Sequence, residues 1–339
     1  MLEMFFEPRA VAVVGAAREP GKLGYNVVSN LLEYGYKGSV YPINPKATEI
    51  LGLTCYPSVL DVPGPIDLAV IVVPNKFVPG VMTQCGEKGI KGAIIITAGF
   101  KEAGVEGVKL EREVMAIARQ YGIRVVGPNC LGIIDNTWPM DASFALGVPP
   151  KGEIAFMSQS GALCTAILDW ALAEGIGFSR FVSLGNKADV DEVDLLEAWE
   201  GDPNSRVVIA YVEGLKDGRR FMDVARRVTK NTPVIAVKSG NTAAGSRAVS
   251  SHTGSLAGSN KAYDAAFRQV GLLRANSIQD LFDYAIAFAY QPVLDGDRIA
   301  IVTNAGGPAI MCTDALENSG LKLTQLSKET IEYLQAHLP

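Results

Sequence analysis

Short runs of β-branched and other apolar residues alternate along this chain with amphipathic stretches of helical length, and this alternation most limits the fold. Continuous apolar strands separated by helices pack into a parallel sheet that helices cover on both faces. The first predicted strands and helices are Val11–Val14, Tyr25–Tyr34, Ser39–Ile43, Leu68–Val73, Phe77–Lys88, Ala93–Thr97, Val108–Tyr121 and Arg124–Val126. The pattern predicts an α/β domain over residues 1–130.

The same alternation restarts after Pro149-Pro150-Lys151-Gly152, which has the composition of a linker. The later predicted elements are Ile154–Met157, a helix through Ala173, Phe178–Leu184, Val193–Trp199, Val207–Val212, Arg219–Thr229, Val234–Lys238, Tyr263–Val270 and Ile278–Tyr290. Because 339 residues exceed one ordinary core, a second domain is predicted over 150–290. Residues 291–339 hold too few βα units to bury a core, so we expect the incomplete start of a third domain.

The first strand runs into a glycine-rich turn, Gly15 to Gly24, just before a predicted helix. Such a turn binds anions through free backbone N–H groups and the helix dipole. Its spacing is not G-x-G-x-x-G, so the dinucleotide fingerprint is absent. The second strand ends near Lys46, where a nicotinamide-binding domain would carry an acidic residue for the ribose. These features favour a ligand with extra phosphates, such as coenzyme A, over NAD. An ordinary βα turn and a surface lysine are the alternatives.

The remaining strands of the first domain end in small residues or proline, which predicts a shallow crevice for an extended ligand. These ends are Val73-Pro74-Asn75, Thr97-Ala98-Gly99-Phe100-Lys101-Glu102 and Gly127-Pro128-Asn129-Cys130-Leu131-Gly132. In open α/β sheets, ligands bind at the carboxyl ends of the strands. Cys130 has no activating neighbour in sequence, so a small buried thiol is favoured over a nucleophile.

In the second domain, the strand Ile154–Met157 leads into Ser158-Gln159-Ser160-Gly161 and then a helix. Either serine would cap that helix, and Gly161 lets a ligand approach the backbone, which makes a second anion site. Simple capping without a ligand explains the same residues. Glu213 follows another strand and could orient an imidazole by accepting its second N–H, or it could be a solvated loop residue.

One of the two histidines, His252, lies in a run of small, hydroxylic and glycine residues, 250–258, that fits no helix or strand period. Imidazole is a good nucleophile near neutral pH, so a histidine on such a loop can accept and pass on a phosphoryl group. The predicted sheet places His252, Glu213 and the Ser158–Gly161 turn at one carboxyl edge. The other histidine, His337, is expected to be an exposed helix residue.

The composition excludes several classes of protein. A formal charge of −5 argues against non-specific nucleic-acid binding. Five cysteines without a C-x-x-C pair indicate neither a disulfide framework nor a structural metal site, so we expect a reducing cytoplasm. The opening residues lack the basic region of a signal peptide, and no apolar run approaches membrane-spanning length. We therefore expect no membrane partner.

Taken together, these motifs give the chain a resemblance to the NDP-forming acyl-CoA synthetases. That family includes the α-type chains of ADP-forming acetyl-CoA synthetases and is related to the succinyl-CoA synthetase α subunit. The resemblance covers nearly the whole length. It rests on Gly21-Lys22-Leu23-Gly24, Lys46, Ile96-Thr97-Ala98, Gly127-Pro128-Asn129-Cys130, Ser158-Gln159-Ser160-Gly161, Glu213 and Ser251-His252-Thr253-Gly254.

The resemblance implies a Rossmann-like CoA-binding domain, a flavodoxin-like parallel-sheet domain with a phosphohistidine loop, and the start of a third flavodoxin-like domain. It implies that His252 is phosphorylated and that Glu213 steadies its imidazole. We also expect Asn129 to help position the acyl or phosphoryl group. The implied phosphate-binding residues are Ser158, Ser160, Gly161 and Gly254. The predicted CoA-binding residues are Gly15, Gly21, Lys22, Leu23, Gly24, Lys46, Pro74, Ile96, Thr97 and Ala98.

The implied activity is that of an acid–thiol ligase, an acetate–CoA ligase of the ADP-forming type. It interconverts acyl-CoA, ADP and phosphate with a carboxylic acid, CoA and ATP through acyl-phosphate and phosphohistidine. The family also uses an ATP-grasp domain, fused or in a β subunit, and no such module or P-loop is found in this sequence. We therefore expect ADP or ATP with Mg to bind on that partner, the chain to act in an oligomer, and no metal site of its own.

Three alternatives remain open from the sequence. An NAD-linked oxidoreductase is disfavoured by the missing fingerprint and by Lys46. A non-catalytic CoA-sensing or scaffold protein is disfavoured by the complete His252 loop. A protein acyltransferase with a similar CoA-binding region would carry an acetyltransferase domain beyond residue 339.

Overall fold

The computed structural model describes residues 2–147, 149–242, 245, 260–292 and 294–338. Residues 1–290 form one compact unit that contains two large sheets, and residues 291–339 form a second unit. Within the described residues, no helix combines the length and the apolar composition that a bilayer crossing requires.

The first sheet takes its strands from the first 126 residues. In chain order the elements are α1 (Glu3–Phe6), β1 (Ala10–Val14), α2 (Leu23–Glu33), β2 (Ser39–Ile43), β3 (Glu49–Ile50), β4 (Leu53–Thr54), β5 (Leu68–Ile71), α3 (Val78–Lys88), β6 (Gly92–Ile95), α4 (Val105–Tyr121) and β7 (Arg124–Val126). Short 3-10 turns lie at Val59–Asp61, Asn75–Phe77 and Lys101–Ala103. The small β3–β4 pair is antiparallel and separate from the large sheet.

All five strands of the first sheet are parallel, in the order β2-β1-β5-β6-β7. Every residue of β1, β5 and β6 is buried, as expected for strands covered on both faces. The chain winds from β1 to β2 on one side and then crosses to β5 on the other. In folds of this winding, ligands bind at such a switch point, outside the carboxyl ends of the strands.

The second sheet has seven strands. Its elements are β8 (Gly132–Asp135), β9 (Met140–Ser143), β10 (Lys151–Ser158), α5 (Gly161–Glu174), β11 (Phe178–Ser183), α6 (Glu192–Ala198), β12 (Val207–Val212), α7 (Gly218–Val228), β13 (Val234–Lys238), α8 (Asn260–Val270), β14 (Leu273–Ala275) and α9 (Ile278–Tyr290). The order is β14-β13-β12-β10-β11-β8-β9. Strands β10 to β14 are parallel and repeat the winding of the first sheet, with the switch point between β10 and β12.

Strands β8 and β9 form an antiparallel hairpin on the edge of the second sheet, where β8 pairs with β11. This hairpin lies before residue 150, so the second sheet begins earlier than the predicted second domain. The hairpin buries Asp141, which is 1% exposed. The Oδ1 atom of Asp141 accepts hydrogen bonds from Ser143 N at 2.9 Å and from Ser143 Oγ at 2.6 Å. Burial raises the pKa of Asp141 to about 7 despite these bonds.

We predict that Asp141 makes the protein less stable as the pH rises. An unfolded aspartate has a pKa near 3.9, so the folded state binds more protons between about pH 4 and pH 7. The resulting stabilisation is complete below about pH 4 and is lost as the pH rises through 7. Asp141→Asn keeps the Oδ1 acceptor, and we expect it to raise the free energy of unfolding at pH 8 by about 2 kcal/mol. Urea unfolding at pH 5 and pH 8 checks this, and an equal difference between variant and wild type at both pH values would contradict it.

The second unit contains β15 (Arg298–Ile299), α10 (Gly306–Asn318), β16 (Lys322–Leu323) and α11 (Lys328–His337). β15 and β16 are parallel, as in a βαβ unit. Of the described residues in this unit, only Leu316 is buried. His337 is exposed at the end of α11, where its Nδ1 lies 2.8 Å from Tyr333 O, as the sequence predicted for an uninvolved helix residue.

Candidate active site

A cavity of about 230 Å³ opens at the carboxyl edge of the second sheet. The turns after β10, β11 and β12 form one side, and loops from the carboxyl edge of the first sheet form the other. The lining residues are Gln159, Ser160, Gly161, Ala162, Gly185, Asn186, Lys187 and Glu213 from the second sheet, and Lys101, Glu102 and Asn129 from the first. The cavity therefore contains the switch point between β10 and β12, where ligands bind in folds of this winding.

The turn after β10 gives the cavity a helix N-terminus. Ser160 caps α5, and its Oγ accepts a hydrogen bond from Leu163 N at 3.3 Å. Ser158 is fully buried beneath the turn, where its Oγ donates to Ser160 O at 3.1 Å and accepts from Ser160 N at 3.0 Å. A Cβ on Gly161 would meet only Ser183 Oγ, at 4.0 Å, so this position is open to a ligand. Ser160 and Gly161 line the cavity and Ser158 supports the turn from below.

Glu213 faces this turn from the end of β12. It is 6% exposed and lines the cavity, so the solvated alternative is excluded. Its position results from the switch point, because β10 and β12 are neighbours although residues 159–206 lie between them in sequence.

Two lysines, Lys101 and Lys187, line the same cavity, and the buried Lys238 ends β13 in the same sheet. Lys187 is 8% exposed, and its Nζ donates to Glu192 Oε1 at 2.5 Å and also to Gly214 O. Burial lowers the pKa of Lys101 and of Lys238. Repulsion from the Lys187 ammonium lowers the pKa of each of these two lysines further. Two mutually repelling ammonium groups in the wall of a partly desolvated cavity favour binding of an anion, which would relieve their repulsion.

Two non-glycine residues of the cavity wall adopt the left-handed conformation: Asn129, with φ of 59°, and Lys187, with φ of 45°. Residues other than glycine adopt it at a cost, and such residues cluster at functional sites. A Cβ on Gly185 would lie within 3 Å of the Asn129 carbonyl carbon, so the two turns are in close backbone contact.

Asn186 connects the two sheets across the cavity. Its Nδ2 donates to Glu102 Oε2 at 2.5 Å and to Glu111 Oε2 at 2.9 Å, and its N–H donates to Pro128 O at 2.8 Å. Lys101 Nζ donates to Asn186 O at 2.5 Å. The sequence alone did not identify Lys101, Glu102, Asn186 or Lys187 as site residues. The only signal was that these polar residues follow predicted strands.

The predicted CoA-binding residues follow neighbouring strands of the first sheet. Lys46 follows β2 and is exposed; Gly15 follows β1; Pro74 follows β5; Ile96, Thr97 and Ala98 follow β6. Gly21, Lys22, Leu23 and Gly24 form the start of α2, where Lys22 pairs with Glu19. Thr97 Oγ1 donates to Val73 O at 2.7 Å and ties two of these ends together.

This edge leads to the cavity. With strands about 4.8 Å apart, the line from the end of β2 to the end of β7 is about 19 Å long. Asn129, in the turn after β7, lines the cavity. An extended ligand on this edge would have one end at Lys46 and the other at the cavity.

Cys130 is a buried thiol, as the sequence predicted. It is 4% exposed, and burial raises its pKa to about 12. A thiol protonated at neutral pH is a poor nucleophile.

His252 and Gly254 lie outside the described residues, so their predicted roles stay predictions. The elements on either side are described: β13 ends at Lys238 beside β12, and α8 begins at Asn260. The connection that contains His252 therefore starts at the same sheet edge as Glu213.

Two family models match this chain. Residues 9–136 match a CoA binding domain, and residues 151–288 match a succinyl-CoA ligase like flavodoxin domain. The chain is 51% identical, over its full length, to the α subunit of acetate–CoA ligase (ADP-forming) II of Pyrococcus furiosus, of which it covers 74%. It is 49% identical to acetate–CoA ligase (ADP-forming) I of Archaeoglobus fulgidus, of which it covers 49%.

A solved structure is similar over the whole chain. It is the dinucleotide-forming acetyl-coenzyme A synthetase 1 of Ca. Korarchaeum cryptofilum in complex with phosphate and ADP. The TM-score is 0.95 at 45% sequence identity, and the match covers 100% of this chain and 73% of that one. This likeness confirms the predicted α/β fold with its Rossmann-like and flavodoxin-like parts.

Proposed function

This chain belongs to the family of ADP-forming acetate–CoA ligases, and we propose that it binds CoA and carries the phosphoryl group in such an enzyme. One observation supports this assignment of roles above all others. The helix N-terminus at Ser160 and Gly161, the carboxylate of Glu213 and the end of the first-sheet edge all meet in one cavity. An acyl-CoA thioester on that edge would reach a bound phosphate there. The oxidoreductase and acyltransferase alternatives have no comparable support.

The first-sheet edge suits the chemistry of CoA. CoA has phosphates at its nucleotide end and a thiol at the end of a long arm. The exposed ammonium of Lys46 and the N-terminus of α2 attract phosphates. Gly15, with φ of +93°, lets the ligand approach the backbone closely. We propose that the nucleotide lies there and that the arm passes Pro74 and Ile96–Ala98 toward Asn129.

In the first step, a phosphate oxygen attacks the thioester carbonyl carbon, the carbon–sulfur bond breaks, and CoA leaves as a thiolate that takes up a proton. The products are acyl-phosphate and CoA. The N–H groups at the start of α5 and the ammonium of Lys187 stabilise the phosphate charge, and Asn129 orients the acyl or phosphoryl group.

In the second step, the imidazole of His252 attacks phosphorus and the carboxylate leaves, which produces phosphohistidine. Glu213 accepts the other imidazole N–H and stabilises the cation that forms. Ser160, Gly161 and Gly254 hold the phosphoryl group, with Ser158 supporting the turn. The phosphoryl group then passes to ADP to form ATP. In reverse, the same steps make acyl-CoA from a carboxylic acid.

We propose that the site for ADP or ATP lies outside this chain. Relatives are named α subunits, and the chain spans about half of a single-chain relative, so a partner chain or region is implied. We propose that this partner is an ATP-grasp domain or β subunit that binds ADP or ATP with Mg²⁺, and that the two act as an oligomer in the cytoplasm.

The domain organisation is part of this proposal. Residues 1–130 form the CoA-binding domain and 150–290 the domain with the phosphohistidine loop. The exposed apolar side chains of the second unit, such as Ile310 and Met311, support the proposal that residues 291–339 begin a third domain. In that domain the apolar side chains would be covered.

The test of the reaction is labelling with acetyl-CoA and radioactive phosphate in the presence of the ATP-grasp partner. The chain should acquire phosphate that is labile in acid and stable in alkali. ADP should then remove the label and become ATP. A chain that stays unlabelled while ATP forms would overturn the scheme.

We predict that Lys46→Glu weakens CoA binding about tenfold, because an ammonium near a phosphate is replaced by a like charge. Calorimetric titration of the chain measures this without the partner. Wild type should bind CoA and not NAD. Lys109→Glu, at an exposed position on α4, is the matched control and should bind CoA as wild type does. Binding of NAD alone would contradict the assignment of this edge.

A further inference from the structure

Gln159 connects the two sides of the crevice at the switch point. Its side chain leaves the turn after β10 and reaches the turn after β12. Its Oε1 accepts hydrogen bonds from Glu213 N at 3.0 Å and from Gly214 N at 3.2 Å, and its Nε2 donates to Gly214 O at 3.0 Å. One amide side chain therefore binds two N–H groups and one carbonyl group of the backbone at Glu213 and Gly214.

A second side chain reaches the same backbone from the turn after β11. The Nζ of Lys187 also donates to Gly214 O, so this carbonyl accepts hydrogen bonds from two side chains. The backbone after β12 is thus held by hydrogen bonds from the turns after β10 and β11. A carboxylate on a backbone fixed at several points can adopt few positions, which is what orientation of a partner group requires.

The amide group of Gln159 can accept from the two backbone N–H groups and donate to the Gly214 carbonyl, because it offers an acceptor and a donor at fixed spacing. A carboxylate at this position would keep the acceptor for the two N–H groups but would place an oxygen against the Gly214 carbonyl. A methionine would keep the size of the side chain and lose both the acceptor and the donor. These differences make the contribution of Gln159 separable by mutation.

We propose that Gln159 is a positioning residue that sets the place of the Glu213 carboxylate relative to the Ser160–Gly161 turn. The proposal rests on the proposed function, in which Glu213 orients the imidazole that is phosphorylated. Gln159 acts through Glu213 and holds no reacting atom itself.

The experiment is a double-mutant cycle on the rate of phosphate labelling, measured with the partner present. Gln159→Met should lower the maximal labelling rate by about 10- to 100-fold and change the KM for acetyl-CoA by less than about twofold. Gln159→Glu should fall between methionine and wild type because it keeps the acceptor. Gln279→Met, at an exposed position on α9, is the matched control and should label as wild type does.

The decisive comparison adds Gln159→Met to Glu213→Gln. If Gln159 acts through Glu213, the double variant should be no more than about threefold slower than Glu213→Gln alone. A double variant that shows the full product of both losses assigns Gln159 a separate structural role and overturns the proposal, as does a Gln159→Met variant with the wild-type rate. Absence of label in wild type would count against the proposed function itself. CoA binding by each variant, measured in parallel, shows that the variant is folded.

Discussion

His252→Asn is expected to abolish acid-labile labelling of the chain and to lower ATP formation by about four orders of magnitude or more. The reason is chemical: asparagine has a similar polarity but no ring nitrogen that can attack phosphorus. Formation of acyl-phosphate from acetyl-CoA should persist, because in our scheme that step precedes phosphorylation of the histidine. The measurement is release of CoA and retention of label on the protein in the same reaction, with the partner present.

The chain provides its own control, since it contains only one other histidine. His337 is exposed at the end of α11, and His337→Asn removes an imidazole to which our scheme gives no role. We expect this variant to be labelled at the wild-type rate. Label that survives in His252→Asn and disappears in His337→Asn would assign the phosphoryl group to His337 and contradict our scheme.

The positions of the strands along the chain could be predicted in part from the sequence because most strands are continuous apolar runs between glycine or proline turns. The predicted bounds of Ser39–Ile43, Val207–Val212 and Val234–Lys238 match the observed strands. The hairpin β8–β9 was missed. Its strands are short, and one of them, Met140–Ser143, contains the polar side chains of Asp141 and Ser143. The hydrogen bond between these two side chains allows their burial. A pattern of hydrophobic residues does not reveal such a bond.

The site could be predicted only where it depends on a single sheet. Glu213 and the Ser158–Gly161 turn follow strands of the same predicted sheet, so their common edge was accessible from the sequence. The roles of Asn186 and Lys101 could not be predicted from the sequence, because they depend on how the edges of two different sheets face each other. Hydrogen bonds such as that from Lys101 Nζ to Asn186 O form between residues 85 positions apart. No local pattern encodes that separation.

The crevice that we propose for CoA depends on a close contact between two glycines. Gly24 is buried at the start of α2 against the turn that contains Gly15. A Cβ at Gly24 would lie 2.9 Å from Gly15 C, 3.0 Å from Ala16 Cα and nearer still to Gly15 O. Backbone atoms cannot move aside as a flexible side chain can. Gly24→Ala should therefore force α2 away from the end of β1, lowering the free energy of unfolding by about 3 kcal/mol.

The same substitution at Gly80 is expected to act in the opposite direction. Gly80 lies in the first turn of α3, and a Cβ there would meet no atom within 4 Å. Alanine lowers the conformational entropy of the unfolded chain, so Gly80→Ala should raise the free energy of unfolding by about 0.5 kcal/mol. Urea unfolding compares the two variants directly, and calorimetry should show CoA binding weakened at least about tenfold in Gly24→Ala alone. Equal stability of the two variants would mean that helix propensity governs both positions and that the contact with Gly15 does not shape the crevice. Loss of stability in Gly24→Ala with normal CoA affinity would separate the contact from the ligand site and place the nucleotide elsewhere on the edge.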